Sequence, residues 1–169
     1  MKKISNAFKK VLGIRLANSA LIVVIAVIAV SVLATKYKVV MNHDGSLPIN
    51  GVLVKVGQIP TKNDEIFVFD VRNNPHFKSA EIQFIKHVGG FAGNQIKVRE
   101  REVYVADRPI GFAKTHSRKG VPLTITEEQV IPEHKFFAYT PHEYSFDSRY
   151  KDIGLVDEKD IVGTALLTF

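Results

Sequence analysis

The chain has 169 residues, enough for one ordinary domain plus a short additional element. Hydrophobic residues at 46% and charged residues at 24% exclude a disordered or low-complexity chain, and the absence of cysteine excludes disulfides, thiolate metal sites and a cysteine nucleophile. The formal net charge of +6 is concentrated at Lys2, Lys3, Lys9, Lys10 and Arg15, so the rest is close to balanced, which argues against a nucleic-acid-binding face.

The basic segment 1–15 runs into residues 16–34, which carry no charge and include only Asn18, Ser19 and Ser31 as polar side chains. At ~1.5 Å per residue this run nearly crosses a hydrocarbon core of ~30 Å. In lipid the backbone must satisfy its own hydrogen bonds, so β-branched residues are no obstacle to a helix there. A cleaved secretory signal ending near Val32-Leu33-Ala34 is the competing reading, but its apolar region is usually only ~7–15 residues long. The greater length predicts an uncleaved anchor over 16–35. The basic residues that precede it outnumber Lys36 and Lys38, which follow. They place the N-terminus in the cytoplasm and residues 36–169 outside, in the periplasm of a Gram-negative cell, on a single inner-membrane anchor.

Beyond the anchor, short runs rich in Val, Ile and Phe alternate with Gly, Pro and Asn. Strands are predicted over 52–56, 65–70, 82–88, 95–98, 102–105, 136–139 and 161–169. The string Arg72-Asn73-Asn74-Pro75 is read as a turn, and 126–130 as a single helical turn. This is a mainly β domain of Greek-key or barrel type. Fold of that kind does not fix function.

Three segments carry chemistry. The first is Asn42-His43-Asp44-Gly45-Ser46-Leu47-Pro48-Ile49-Asn50-Gly51. It sets a serine between a glycine that permits unusual backbone angles and a proline that stiffens the exit. Alone, it reads equally as a polar loop leaving an anchor. The second is Phe84-Ile85-Lys86-His87-Val88-Gly89-Gly90-Phe91-Ala92-Gly93-Asn94. Strand alternation puts Lys86 on one face with Phe84 and Val88. Such a lysine either snorkels to water or is partly desolvated, and desolvation favours the neutral amine, the form that can act as a base. The third is Tyr144-Ser145-Phe146-Asp147-Ser148-Arg149-Tyr150. On a strand, Ser145, Asp147 and Arg149 would share a side, and the last two could pair.

In this order the segments resemble signal peptidase I and its relatives in the S26 serine peptidase family. The family's Lys-Arg-Val-Val-Gly-Leu-Pro-Gly-Asp aligns without a gap on Lys86 to Asn94. Its Ser-x-Asp-Ser-Arg box matches Ser145 to Arg149, with the following glycine, Gly154, two residues late. The nucleophile box, usually Ser-Met-x-Pro, is here Ser46-Leu47-Pro48. That is closer to the Ser-x-Pro-x-Gly of the TraF-like conjugative-transfer pilin-processing peptidases, with Gly51 one residue late.

The resemblance implies a signal-peptidase-like catalytic domain behind one transmembrane helix. It implies Ser46 as nucleophile and Lys86 as general base. Ser145 would orient the Lys86 amine, Asp147 and Arg149 would form a supporting ion pair, and Gly45 would shape the nucleophile turn. The Ser46 backbone N–H would hold the oxyanion. Many relatives have a serine donor two residues before the nucleophile; Asp44 stands there and, ionised, cannot donate. Phe67, Phe69 and Ile85 are the candidates to line a pocket for small residues. The histidines at 43, 76, 87, 116, 134 and 142 show no metal spacing, and no metal or cofactor is implied. About fifty residues separate Asn94 from Ser145, a compact domain beside general leader peptidases. The substrate expected is an exported precursor, a pilin of a conjugative type IV secretion machinery, cleaved with or without cyclisation. A general signal peptidase and a catalytically inactive membrane-anchored scaffold are the alternatives. A soluble self-cleaving repressor is disfavoured by the anchor.

Overall fold

A computed structural model describes residues 2–43, 45–72, 74, 76 and 81–169, with side chains from residue 18 onward except that of Glu81. The chain divides into two compact units, Met1–Tyr37 and Lys38–Phe169.

The first unit is the helix α1 (Lys2–Lys36). Within it, Asn18–Lys36 is long and apolar enough to cross a membrane. Two of its polar side chains bond back to the helix: Ser31 Oγ donates to the Val27 carbonyl and Thr35 Oγ1 to that of Val32, each at 2.8 Å. This satisfies their hydroxyl protons without solvent, as a helix in hydrocarbon requires.

The second unit is mainly β, as the alternation predicts. One sheet has seven strands in the order β1 (Tyr37–Met41), β2 (Gly51–Val56), β11 (Ile161–Thr168), β3 (Ile66–Arg72), β4 (Glu81–Gly90), β9 (Lys135–Tyr139) and β10 (Val156–Asp157). The other has the order β7 (Arg108–Phe112), β6 (Glu102–Val105), β5 (Gln95–Arg99) and β8 (Gln129–Val130). Strand β11 is inserted antiparallel between β2 and β3. The last residues of the chain therefore complete the sheet that carries the first two segments of interest.

Both faces of the large sheet are covered. Phe67, Phe69, Phe84, Val88 and Phe136 pack on one side, and Val40, Leu47, Val52, Val54, Val68 and Ile85 form a separate cluster. A third cluster, built on Ile96, Val103, Val105 and Ile131, reaches the large sheet through Phe137. Period-two alternation explains the division: Phe67 and Phe69 point one way from β3, and Val68 the other.

Two local expectations are corrected. Residues 126–130 form no helical turn; Gln129 and Val130 pair with Ile96 and Gln95 as β8. Residues 144–150 form no strand; the segment is a loop, and its alternation carries no facing information. In the expected turn, Arg72 still belongs to β3, and Asn73 and Pro75 lie outside the described residues.

Candidate active site

Lys86 sits in β4, between β3 and β9, directly across from Phe67. It is fully buried. Its Nζ lies 5.1 Å from the centroid of the Phe84 ring on the same strand face. Lys86 Nζ and Ser46 Oγ are hydrogen-bonded at 2.7 Å across a sequence gap of forty residues.

Ser46 is fixed by its loop. Leu47 beside it is 5% exposed and packs into the cluster with Val40, Val54, Val68 and Ile85. Asn42, at the end of β1, donates from Nδ2 to the carbonyls of Leu47 and Ile49, both at 2.9 Å. The Asn42 N–H meets the Asn50 carbonyl at 2.8 Å, and the Asn50 N–H meets the Phe169 carbonyl at 2.6 Å. Gly45, with φ +62°, adopts the left-handed conformation that a Cβ disfavours. Asp44 lies outside the described residues. Asn42 is the residue that sequence reading overlooked here. Its signal was an amide-bearing residue a few positions before the serine, a common staple of loops.

The third segment supports the site from behind. Arg149 Nε donates to Asp147 Oδ1 and Arg149 Nη2 to Asp147 Oδ2, both at 2.9 Å, with side chains 1% and 0% exposed. The guanidinium also reaches the carbonyls of Phe112 and His142 at 3.2 and 3.0 Å, so β7 and the loop after β9 share one anchor. Burial works to lower the Arg149 pKa, but the hydrogen bonds and charge of Asp147 outweigh it and raise it. Asp147 in turn accepts the N–H groups of Thr140 and Arg149, each at 3.2 Å. Ser145 is buried, but the hydrogen bond expected from it to Lys86 is not made in this structure: its Oγ has no hydrogen-bond partner. A hydroxyl that is buried and unbonded retains the whole cost of its desolvation.

Ser46 and Ser145 open onto one cavity of about 330 Å³ with an apolar floor that includes Phe84, Leu123, Phe146 and Tyr150. The expected pocket residues do not line it. Phe67 and Phe69 are 0% and 2% exposed and stack on each other at 5.2 Å within the core. The reason is that β3 is an interior strand with both faces covered, which alternation alone does not reveal. Ile85 instead lines a neighbouring groove with Val39, Met41 and Gln83, and Phe84 is common to both. The true lining includes a basic loop, Lys114 to Lys119, that the sequence reading did not single out. Among the histidines, His87 Nδ1 contacts the Asp64 carbonyl at 2.8 Å, and His76, His116 and His142 face the cavity.

Residues 14–169 match the family model described as signal peptidase, peptidase S26. The chain belongs to the S26 signal peptidase family. Among similar proteins is signal peptidase I U of Bacillus subtilis (strain 168), 31% identical over 101 residues, which cover 56% of this chain and 54% of that protein. The chain thus spans about half the length of that curated relative. A solved signal peptidase I of Enterococcus faecalis V583 aligns at a TM-score of 0.39 and 16% identity, covering 63% of this chain and 97% of that one. A serine hydroxyl and a lysine amine in hydrogen-bond contact at the edge of an apolar cavity are the two groups that nucleophilic attack assisted by an amine base would require.

Proposed function

We propose that this chain is a membrane-anchored serine endopeptidase that cleaves exported precursor proteins with a Ser46–Lys86 dyad. The observation that carries the reading is the 2.7 Å contact between the two side chains, one of them wholly buried. With the amine neutral, Lys86 Nζ takes the proton as Ser46 Oγ attacks the scissile carbonyl carbon. The Ser46 N–H stabilises the oxyanion. Lys86 then delivers the proton to the leaving amine, and water, deprotonated by the same amine, releases the acyl group from Ser46. The apolar span Asn18–Lys36 holds the enzyme in the membrane, with its basic N-terminus on the cytoplasmic side and the β unit outside.

The broad substrate class is a signal-peptide-bearing precursor. Within it we assign a pilin precursor of a conjugative secretion machinery, supported by the Ser46-Leu47-Pro48 box and the short connection from Asn94 to Ser145. General signal-peptide removal is the second reading, favoured by the likeness to signal peptidase I U. Membrane fractions from cells carrying wild type or Ser46→Ala separate the readings by mass spectrometry. Loss of mature pilin alone supports the dedicated role, accumulation of many precursors supports the general one, and unchanged processing by an accumulating Ser46→Ala protein contradicts both. A product mass short by one water identifies cyclisation.

A further inference from the structure

One wall of the Ser46 cavity is a cationic hairpin whose charge the dyad does not use. Residues 108–126 contain no Asp or Glu but carry Arg108, Lys114, His116, Arg118 and Lys119. The loop is preformed. Ser117 N–H meets the Val121 carbonyl at 2.8 Å, Gly120 N–H meets that of Ser117 at 2.9 Å, and Leu123 N–H meets that of Thr115 at 2.9 Å. Its base is pinned by Lys114 N–H donating to the hydroxyl of the buried Tyr150 at 3.0 Å.

The cations are organised around one ring. Lys114 Nζ lies 5.0 Å and the Arg118 guanidinium 4.9 Å from the centroid of Tyr144. Glu143 is committed to Lys114 at 2.9 Å. Arg118 Nη2 touches His142 Nε2 at 3.3 Å, and among the described residues neither Arg118 nor Lys119 has a carboxylate partner. An exposed guanidinium held over an aromatic ring, with no carboxylate in ion-pair contact among the described residues, is suited to bind a carboxylate bidentately. Val121, Leu123 and Phe146 line the same cavity and offer an apolar surface beside the cations.

We infer that Arg118 and Lys119 are specificity-determining residues that select a peptide carrying an acidic side chain, next to an apolar one, close to the scissile bond. This rests on the protease reading above. The peptide is preferred to an anionic lipid because the cations share a cavity with the proposed nucleophile, and a preformed loop loses little entropy on engaging a side chain there.

The test uses the full chain in phosphatidylcholine vesicles and a proteome-derived peptide mixture, with cleavage sites assigned by mass spectrometry and counted only where Ser46→Ala removes them. The expected result is enrichment of Asp and Glu near the cleaved bond. The best peptide, resynthesised with Asn or Gln in place of its acid, falls about fivefold in kcat/KM, the scale of a partly exposed ion pair. The Arg118→Gln/Lys119→Gln protein loses that difference, and Arg118→Glu/Lys119→Glu reverses it towards Lys and Arg. Ser46-dependent cleavage without acidic enrichment overturns the proposal, as does enrichment unchanged in the charge variants. A dependence on added phosphatidylglycerol with none on peptide charge also overturns it, in favour of a headgroup site. If no cleavage depends on Ser46, the protease reading itself fails, and this one with it.

Discussion

At Lys86, burial and a hydrogen bond act on one amine. Replacing it by methionine keeps much of the volume and removes the proposed base, so cleavage is predicted to fall at least about a hundredfold while the fold persists. Circular dichroism and peptide cleavage on the same preparation check this. Ser145→Ala gives a different signature. Its buried hydroxyl has no partner, so removing it is predicted to leave stability unchanged or raised by up to about 1 kcal/mol. A fall in cleavage without a fall in melting temperature then shows that the hydroxyl serves the Lys86 amine during turnover. Asp147→Ala is the opposite case: it strands a buried guanidinium and is predicted to cost about 3–5 kcal/mol in denaturant unfolding. The Ser46–Lys86 contact and the Asp147–Arg149 pair were legible because each residue sits in a segment that the family resemblance picks out. Phe67 and Phe69 misled because their side is set by what covers β3, and the covering strands come from distant parts of the chain.

Among the elements, each one missed in the sequence has its own physical reason. Strand β1 follows α1 directly and offers only Val39-Val40-Met41 as an apolar run, too short to read as a strand. Strand β7 contains Pro109 and Gly111, both weak strand signals. Strands β8 and β10 have two residues each and arise only from their partners. The strands that were legible are those with runs or alternations of apolar residues over four positions or more. Strand β11 offers a test of the packing. A Cβ on Gly163 would run into the Lys55 carbonyl of β2, a backbone atom that cannot step aside. Gly163→Ala is therefore predicted to destabilise by about 1–3 kcal/mol, measured by thermal unfolding. It also threatens the Ser46 loop, because Phe169, the residue that follows β11, accepts the Asn50 N–H at its carbonyl.

At the scale of the whole β unit, the two sheets are clasped through Asp64. Arg108 of β7 donates to both its carboxylate oxygens at 2.7 and 2.8 Å, and the Tyr139 hydroxyl of β9 donates to Oδ1 at 2.5 Å. Arg108 also reaches the Gly89 carbonyl at 3.1 Å, three residues beyond Lys86. Burial pushes the Asp64 pKa up, but the hydrogen bonds from Tyr139 and Arg108 prevail and lower it. A carboxylate with a lowered folded pKa contributes stability at neutral pH that is lost as pH falls through the acidic range below about 4. Asp64 is half exposed, so solvent screening keeps the contribution within about 1 kcal/mol. Asp64→Asn is predicted to lower the melting temperature at pH 7 and to reduce its fall on acidification; identical profiles for variant and wild type would rule the clasp out.

The dyad is tested most directly by exploiting a chain without cysteine. Lys86→Cys introduces a single thiol, which can be alkylated in denaturant to carry either an aminoethyl group or a neutral carbamidomethyl group before refolding. The account predicts that Lys86→Cys and its carbamidomethyl form do not cleave a precursor peptide, while the aminoethyl form, which restores an amine near the position of Nζ, recovers cleavage that still requires Ser46. Cleavage at the wild-type rate by unmodified Lys86→Cys would contradict it.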